Sequence, residues 1–333
     1  MDRVQTMRVL ARGEGPLFRA PDPFGFREHN RRKDKSLRDK RMTEEQAIER
    51  FVRDGQYLGF ELYGTVRCPM SLVRALIRSR KRGFTVAGQG VHELDLLLAT
   101  GAVEALDFTY IGEEVYGVSP IVRRACEPGG PVKRITEWSN GALTWRFKAA
   151  AMGVPFLPTY SMTGTDTFRY SAAVTVECPF THRPITLLPA LTLDVAFIHV
   201  HRADRSGNCQ IDGVSGFAPE MARAARTVIV SAEQIVDDDA IRAEPHRTII
   251  PYYLVDAVVP AAFGSWPGEM VGVHERDEEH LKMFLEAART AEGTDAYLRE
   301  WVYGVEDHAA LLEKVGADRL ERLRVSAARA RNG

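Results

Sequence analysis

The sequence predicts an α/β protein with an open, mostly parallel sheet and helices on both faces. Between residues 43 and 153, short apolar runs alternate with segments whose apolar residues recur at helical spacing, and short loops join them. Apolar residues make up 45% of the 333 residues and charged residues 27%, so the chain can bury a sizeable core. Strands that alternate with helices in this way form parallel sheets covered on both faces.

The alternation begins at a helix signal. Thr43 and Gln46 have the spacing of a capping box, and Gly55 ends the helix that they start. Pro69 stands where the first turn of a helix tolerates proline, and Gly153 ends a longer helical segment. The predicted strands are residues 57–62, 84–87, 103–111, 132–138, 194–200 and 227–231, and the later predicted helices are 69–82, 93–100, 119–126, 141–152, 221–225 and 237–243.

Two further regions lack this alternation. Residues 155–192 are rich in proline and threonine and show no regular period. From Arg276 onward the pattern indicates charged amphipathic helices.

Residues 1–41 are predicted to form a basic, irregular N-terminal extension. They contain three prolines and carry 12 Lys and Arg against 6 Asp and Glu. Much of the positive excess lies between residues 27 and 41, where aspartates interrupt it and no aromatic side chain is interleaved. We therefore expect the extension to pack over the body or a partner and not to bind nucleic acid.

Composition argues against membrane and secreted proteins. No stretch approaches the roughly 18 apolar residues of a membrane helix, and the N-terminus has no apolar signal segment. The four cysteines, Cys68, Cys126, Cys178 and Cys209, are scattered without CxxC spacing. This usage favours reduced thiols and predicts a cytoplasmic location.

Loops that follow strands are the candidate sites, because parallel sheets bind ligands beyond the carboxyl ends of their strands. After the first sheet strand, Gly64, Thr65, Val66 and Arg67 precede a helix, so their amides could face an anion or a thioester oxygen, or simply form a strand–helix turn. After the second strand, Gln89 and Gly90 lack the third glycine of a dinucleotide fingerprint, which excludes a nicotinamide site.

A third loop, Ser139-Asn140-Gly141, opens a helix. Ser139 or Asn140 could cap that helix and also turn a polar group toward a cleft. His199 and His201 share one face of a strand end, but no third ligand has metal-site spacing, so we expect no metal.

Several longer stretches together resemble the α (A) subunit of family I coenzyme A (CoA) transferases, specifically the glutaconate CoA-transferase A type. The similarity runs from about residue 42 to residue 320. The stretches that carry it are AAAMGVPFLP (149–158), LDVAFIHVHRADRSGN (193–208), IVSAEQIVDDDAIR (229–242), YYLVDAVVPAAFGSWP (252–267) and EWVYGVEDHAALLEKVGADRL (300–320).

The resemblance implies that residues 42–330 form a CoA-transferase domain of the NagB-like type. It implies pairing with a β (B) subunit, as α2β2, and transfer of CoA between an acyl-CoA and a carboxylic acid. CoA thioester is then substrate, and no cofactor is bound. In the family the β subunit contributes a glutamate that attacks the thioester from a Ser/Gly-Glu-Asn-Gly motif. This chain lacks that motif, so the nucleophile is expected on the partner.

The resemblance also implies that the α subunit supplies the facing wall of the cleft. Residues 64–67 and 139–141 would stabilise the oxyanion of the tetrahedral intermediate, and Glu61, Gln89 and Gly90 would border the acyl pocket. Relatives usually carry paired glycines where this chain has Glu61-Leu62. Glu61 could pair with Arg67 or another cation, could enter the pocket and repel a dicarboxylate, or could act as a base.

Two other functions are weighed against the transferase. Some relatives hydrolyse a ring in the CoA thioester of a steroid remnant with an α-chain carboxylate, which falls here at Asn140, an amide that cannot act as a base. A metabolite-sensing regulator would need a DNA-binding segment, and the basic extension has no helix-turn-helix pattern.

Overall fold

A mostly parallel sheet forms the centre of the fold in the computed structural model, which describes residues 7–330. In the described chain this sheet has nine strands, and a separate antiparallel sheet has four. The strands are β1 (Val9–Arg12), β2 (Tyr57–Glu61), β3 (Phe84–Gly90), β4 (Val103–Ile111), β5 (Arg134–Glu137), β6 (Phe156–Thr159), β7 (Val174–Glu177), β8 (Pro184–Pro189), β9 (Leu193–Ala203), β10 (Cys209–Gln210), β11 (Ala225–Ile235), β12 (Thr248–Ile250) and β13 (Ala257–Pro260).

Helices occupy most of the connections. They are α1 (Pro23–Arg32), α2 (Glu44–Phe51), α3 (Met70–Arg78), α4 (His92–Ala99), α5 (Pro120–Cys126), α6 (Asn140–Met152), α7 (Asp166–Arg169), α8 (Ala218–Ala224), α9 (Asp238–Ala243), α10 (Glu278–Ala287), α11 (Ala291–Leu298), α12 (His308–Val315) and α13 (Ala317–Ala330). Among these described helices, none is long and apolar enough to cross a membrane.

The strand order confirms the predicted parallel sheet. Seven described strands run parallel in the order β13–β11–β9–β2–β3–β4–β5. Because β9 is longer than β2, its C-terminal end extends past β2 and pairs there with β10, which in turn pairs with β12, both antiparallel. The carboxyl ends of the parallel strands thus lie along one edge of the sheet.

Alternate side chains of the central strands supply two apolar cores, one on each face. Phe60 of β2 and Phe197 of β9 stack at 4.9 Å between ring centroids, in the core covered by α2 to α5 and α11. Ala196 and Ile198, the neighbours of Phe197, belong to the opposite core, which α6 and α8 cover. Helices therefore lie on both faces, as the sequence predicts.

The Pro- and Thr-rich region folds more regularly than its pattern indicates. Strands β6, β7 and β8 form an antiparallel sheet in the order β1–β7–β8–β6. Two of their residues, Pro158 and Pro184, lie in the outer strand β6 and at the first position of β8, where a missing amide is tolerated. The prolines that obscure the strand signal are thus compatible with the sheet.

Residues 1–41 are predicted to be irregular, but within the described part the structure forms the strand β1 and the helix α1, with irregular chain between and after them; residues 1–6 lie outside the described residues. Strand β1 pairs with β7, and helix α1 starts at Asp22, whose carboxylate accepts the Gly25 N–H at 2.9 Å. Phe26 is buried, and Lys33 forms a 2.7 Å ion pair with Asp256. The extension is ordered because these contacts anchor it to the body, and a largely polar helix has little apolar periodicity to reveal it.

A buried polar cluster around Asp107 of β4 lies on the face of the sheet that α6 covers. Its carboxylate accepts hydrogen bonds from the Tyr57 hydroxyl and, at 2.5 Å, from the Trp138 indole N–H, and forms a 2.8 Å ion pair with Arg146 of α6. Arg146 also donates to the Pro189 carbonyl at 3.1 Å and lies 4.0 Å from the Trp138 ring centroid. The cluster therefore holds Trp138 in place directly before the loop at residues 139–141.

The substitution Asp107→Asn should lower the free energy of unfolding by about 3 kcal/mol, because it leaves the Arg146 guanidinium buried without a counter-charge. Urea unfolding followed by circular dichroism measures the change. Asp239→Asn is the control, since this carboxylate is exposed and pairs with Arg242 within one helix turn, and it should cost less than about 0.5 kcal/mol. An Asp107→Asn protein that unfolds at the wild-type urea concentration would contradict this role.

Candidate functional site

A tight turn at residues 63–67 follows β2 at the carboxyl edge of the sheet. Tyr63 and Val66 exchange two backbone hydrogen bonds of 3.1 Å across it. Gly64 and Arg67 both adopt positive φ, at 59°, and a Cβ on Gly64 would meet the Glu114 carboxylate at 2.6 Å. The backbone conformation therefore favours glycine at residue 64, whereas the Glu114 carboxylate is the end of a flexible, exposed side chain that could move aside.

A distant segment clamps this turn. The Arg67 N–H donates to the Glu269 carbonyl at 3.0 Å, and the Glu269 N–H donates to the Thr65 carbonyl at 3.1 Å. The Gly64 N–H donates to the Gln89 side-chain carbonyl at 3.3 Å. The Thr65 N–H takes no part in these bonds and is the amide of the turn left to donate to a ligand.

A cleft of about 430 Å³ opens beside the turn. Five residues predicted from the sequence line it together, Gly64, Thr65, Val66, Gln89 and Asn140. They come from the ends of β2 and β3 and from the start of α6, so the parallel sheet brings them to one edge. The remaining lining residues are Tyr63, Tyr110, Glu114, Val115, Glu269 and Arg276.

Glu61 and Arg67 do not line the cleft. Arg67 donates through both terminal nitrogens to the Glu61 carboxylate, at 2.5 and 3.1 Å, and both side chains are completely buried. Of the roles weighed for Glu61, the structure shows the ion pair with Arg67. An ionised carboxylate away from water needs such a partner, so neither charge is available to a substrate.

Ser139, Gly141 and Gly90 also lie outside the cleft lining. The Ser139 hydroxyl accepts the Ala142 N–H at 3.1 Å, which makes Ser139 the N-cap of α6. Gly141 is exposed with open space around its Cα, whereas a Cβ on Gly90 would lie 2.3 Å from Leu94. Because Ser139 supplies the cap, the exposed Asn140 side chain is left to face the cleft.

Five lining residues carried no sequence signal of a site. Tyr110, Glu114 and Val115 lie at the end of β4 and in the loop after it, and Glu269 and Arg276 lie in the segment between β13 and α10. The predicted end of β4 could have drawn attention to the first three. Glu269 reaches the turn through backbone pairing with Val66, about two hundred residues away along the chain, which no local pattern encodes.

His199 and His201 are buried and hydrogen-bonded. His199 pairs through Nε2 with the Glu233 carboxylate at 2.9 Å and through Nδ1 with the Ser231 hydroxyl at 2.8 Å. The two nitrogens of His201 bond to the Val271 carbonyl and the Asp212 N–H. Among the described residues, no group of three or more His, Cys, Asp or Glu side chains could hold a metal ion.

The family model described as Coenzyme A transferase matches residues 41–261. The A-type subunit of glutaconate CoA-transferase from Acidaminococcus fermentans is 31% identical over 303 residues, which cover 85% of this chain and 94% of that protein. The crystal structure of that glutaconate CoA-transferase superposes with a TM-score of 0.82 at 29% identity, over 86% of this chain and 95% of that one.

Two other relatives have higher and lower sequence identity to this chain. An uncharacterized protein of Archaeoglobus fulgidus is 48% identical over 325 residues, 96% of this chain and 72% of that protein. The cholesterol ring-cleaving hydrolase IpdA subunit of Rhodococcus jostii is 29% identical over 283 residues, 82% of this chain and 95% of that protein. The family model and the glutaconate relative together decide the assignment: the chain is a CoA-transferase and belongs to the coenzyme A transferase family as an A-type subunit.

Proposed function

We propose that the chain is the α subunit of a heteromeric transferase that moves CoA between an acyl-CoA and a carboxylic acid, with residues 42–330 as its catalytic domain. One observation carries the proposal. Thr65, whose N–H takes no part in the bonds of the turn, and Asn140, at the N-terminus of α6, line the same cleft, where they could donate the hydrogen bonds that an acyl-transfer oxyanion needs.

A partner must complete this site. No Ser, Cys or His side chain lines the cleft among the described residues, and its two glutamates lie outside any Ser/Gly-Glu-Asn-Gly motif, since Met270 follows Gly268-Glu269. The rim is apolar and exposed, with 54% of Tyr63 and 80% of Val115 accessible. Exposed apolar rims are typical of surfaces that a partner covers. The rim supports a partner at this surface, and we propose that it is a β subunit that brings the nucleophilic glutamate in a cytoplasmic α2β2 assembly.

The proposed chemistry is the one that the family resemblance implies, placed in this cleft. The partner's glutamate attacks the thioester carbonyl, and the carbonyl oxygen becomes an oxyanion that accepts hydrogen bonds from Asn140 and the Thr65 N–H. Each such donor contributes about 3 kcal/mol to transition-state stabilisation in well-built sites. The intermediate expels CoA thiolate and leaves an acyl–glutamyl anhydride. The thiolate then attacks the glutamyl carbonyl and releases the acid, and an incoming carboxylate takes the CoA by the reverse steps.

The alternative is a ring-opening hydrolase, the activity for which the Rhodococcus relative is named. That chemistry needs a carboxylate base in the cleft. Asn140 is an amide and Glu61 is held by Arg67, so neither predicted position supplies the base. Glu114 and Glu269 remain as carboxylates in the lining, so the preference for the transferase rests on the family model and the glutaconate CoA-transferase relative.

Partner dependence is the first test. The purified chain alone should show no CoA transfer, and the same chain co-purified with its β subunit should transfer CoA between acyl-CoA and an acid and elute as an αβ or α2β2 complex. Chromatographic separation of the CoA esters measures the transfer. Turnover by the isolated chain would place the nucleophile in this polypeptide and overturn the proposal.

The oxyanion role is tested at Asn140. In the complex, Asn140→Ala should lower kcat about 10-fold or more with less effect on KM, because the contact strengthens in the transition state. Lys148→Ala, exposed farther along the same helix, should keep wild-type kinetics. A change confined to KM would assign Asn140 to ground-state binding, and no change would leave it without a role in catalysis.

The ion pair is tested at Glu61. Glu61→Gln should lower the free energy of unfolding by about 3 kcal/mol or more and weaken turnover of every acyl-CoA alike, because Arg67 is left buried and unpaired under the turn. The double variant Glu61→Leu with Arg67→Met should recover much of the stability. Thermal unfolding and a panel of acyl-CoAs are measured. Wild-type stability with an altered preference for dicarboxylates would show instead that Glu61 contacts the acyl group.

A further inference from the structure

We propose that Glu269 makes the acyl end of this cleft select against acids that carry a second carboxylate. The inference deepens the proposed function and rests on it. It concerns a residue that no sequence pattern singled out, and it moves to Glu269 the charge discrimination weighed earlier for Glu61.

The backbone of Glu269 fixes where its side chain begins. Its N–H and carbonyl bond to Thr65 and Arg67, on either side of Val66, and the Ser265 hydroxyl also donates to its carbonyl at 3.1 Å. The backbone of Glu269 is therefore hydrogen-bonded directly to the turn that we propose faces the thioester. A substrate whose carbonyl meets Thr65 and Asn140 would place the next few atoms of its acyl chain beside this carboxylate.

The Glu269 carboxylate faces the cleft without a direct counter-ion. It is half-buried, and it forms no ion pair or side-chain hydrogen bond among the described residues. The cation nearest in the lining, Arg276, donates through Nε to Glu278 at 2.5 Å, and Glu278 also accepts the Tyr116 hydroxyl. Arg276 is thus paired directly with a carboxylate outside the lining, and it acts on Glu269 only at a distance, where its charge and that of His274 oppose the rise that burial causes in the Glu269 pKa.

A second carboxylate, that of Glu114, adds to the negative charge of the cleft lining. Glu114 adopts positive φ, at 50°, and its Oε1 lies over the Cα of Gly64 at the opposite side of the turn. The cleft lining therefore holds two carboxylates against one arginine that is itself paired. A dicarboxylic acid would bring a third negative charge into a partly enclosed space, where repulsion is screened less than in water.

The test uses the αβ complex with two five-carbon donors, valeryl-CoA and glutaryl-CoA, and with acetate as acceptor. Because burial raises the pKa of Glu269, the assays are run at about pH 8 to keep it ionised. The wild-type complex should favour valeryl-CoA in kcat/KM. In Glu269→Gln, kcat/KM for glutaryl-CoA should rise about 10-fold, while the value for valeryl-CoA stays within about 2-fold.

Glu275→Gln is the matched control, because Glu275 is exposed, lies on the same segment and does not line the cleft. It should leave the ratio of the two donors unchanged. An unchanged ratio in Glu269→Gln, an equal loss with both donors, or loss of glutaryl-CoA turnover only in Arg276→Gln would each overturn the inference. An equal loss with both donors would show that Glu269 takes part in the chemical step. Loss of glutaryl-CoA turnover only in Arg276→Gln would show that Arg276 binds the distal carboxylate.

Binding separates this inference from the proposed function. The proposed function fails if the wild-type complex transfers CoA from no member of the acyl-CoA panel, whereas inactivity with these two donors alone leaves it standing. Calorimetric titration with the two thioesters then still decides the role of Glu269. Its substitution by Gln must tighten glutaryl-CoA binding about 10-fold and leave valeryl-CoA binding unchanged, and equal affinities in wild type and variant would overturn the inference.

Discussion

The buried ion pair between Glu61 and Arg67 is the constraint on which the cleft depends. Both side chains are completely inaccessible, so each charge is tolerable only in the presence of the other. The pair joins the last residue of β2 to the last residue of the turn, and the turn then presents the Thr65 N–H. Two charges that look like catalytic candidates in the sequence thus hold the backbone that carries the donor.

The opposite wall depends on a second buried charge. Asp107 of β4, the strand next to the edge strand β5, holds Arg146 of α6 and the indole of Trp138, and Asn140 lies two residues beyond Trp138. The two buried pairs lie on neighbouring parts of one sheet, so the spacing of its strands sets the distance between the walls. Rigid support of this kind is what preorganised oxyanion donors require, because they gain nothing if they must reorganise during the reaction.

The cleft resembles one half of an active site. Its lining includes Thr65, Asn140 and two carboxylates, its rim is apolar and exposed, and the family to which the chain belongs is described as Coenzyme A transferase. One relative is named as a glutaconate CoA-transferase subunit and another as a cholesterol ring-cleaving hydrolase subunit, so the shared fold does not by itself fix the acyl group. We infer that cleft side chains such as Glu269 and Glu114 select the acyl group. These residues come from other segments of the chain than the turn and the start of α6.

Sequence by itself determined the parallel sheet, most strand and helix positions between residues 43 and 153, and five of the residues that line the cleft. Apolar periodicity encodes burial of a strand or helix face, and loops after parallel strands must share one edge. Sequence did not determine order in the extension, because Asp22 and Lys33 act through contacts with distant or polar groups. Only the tertiary structure decided that Glu61 faces inward to Arg67 and that Glu269 lies beside Thr65. Side-chain direction at a strand end and pairing between distant segments follow from packing, which no local pattern specifies.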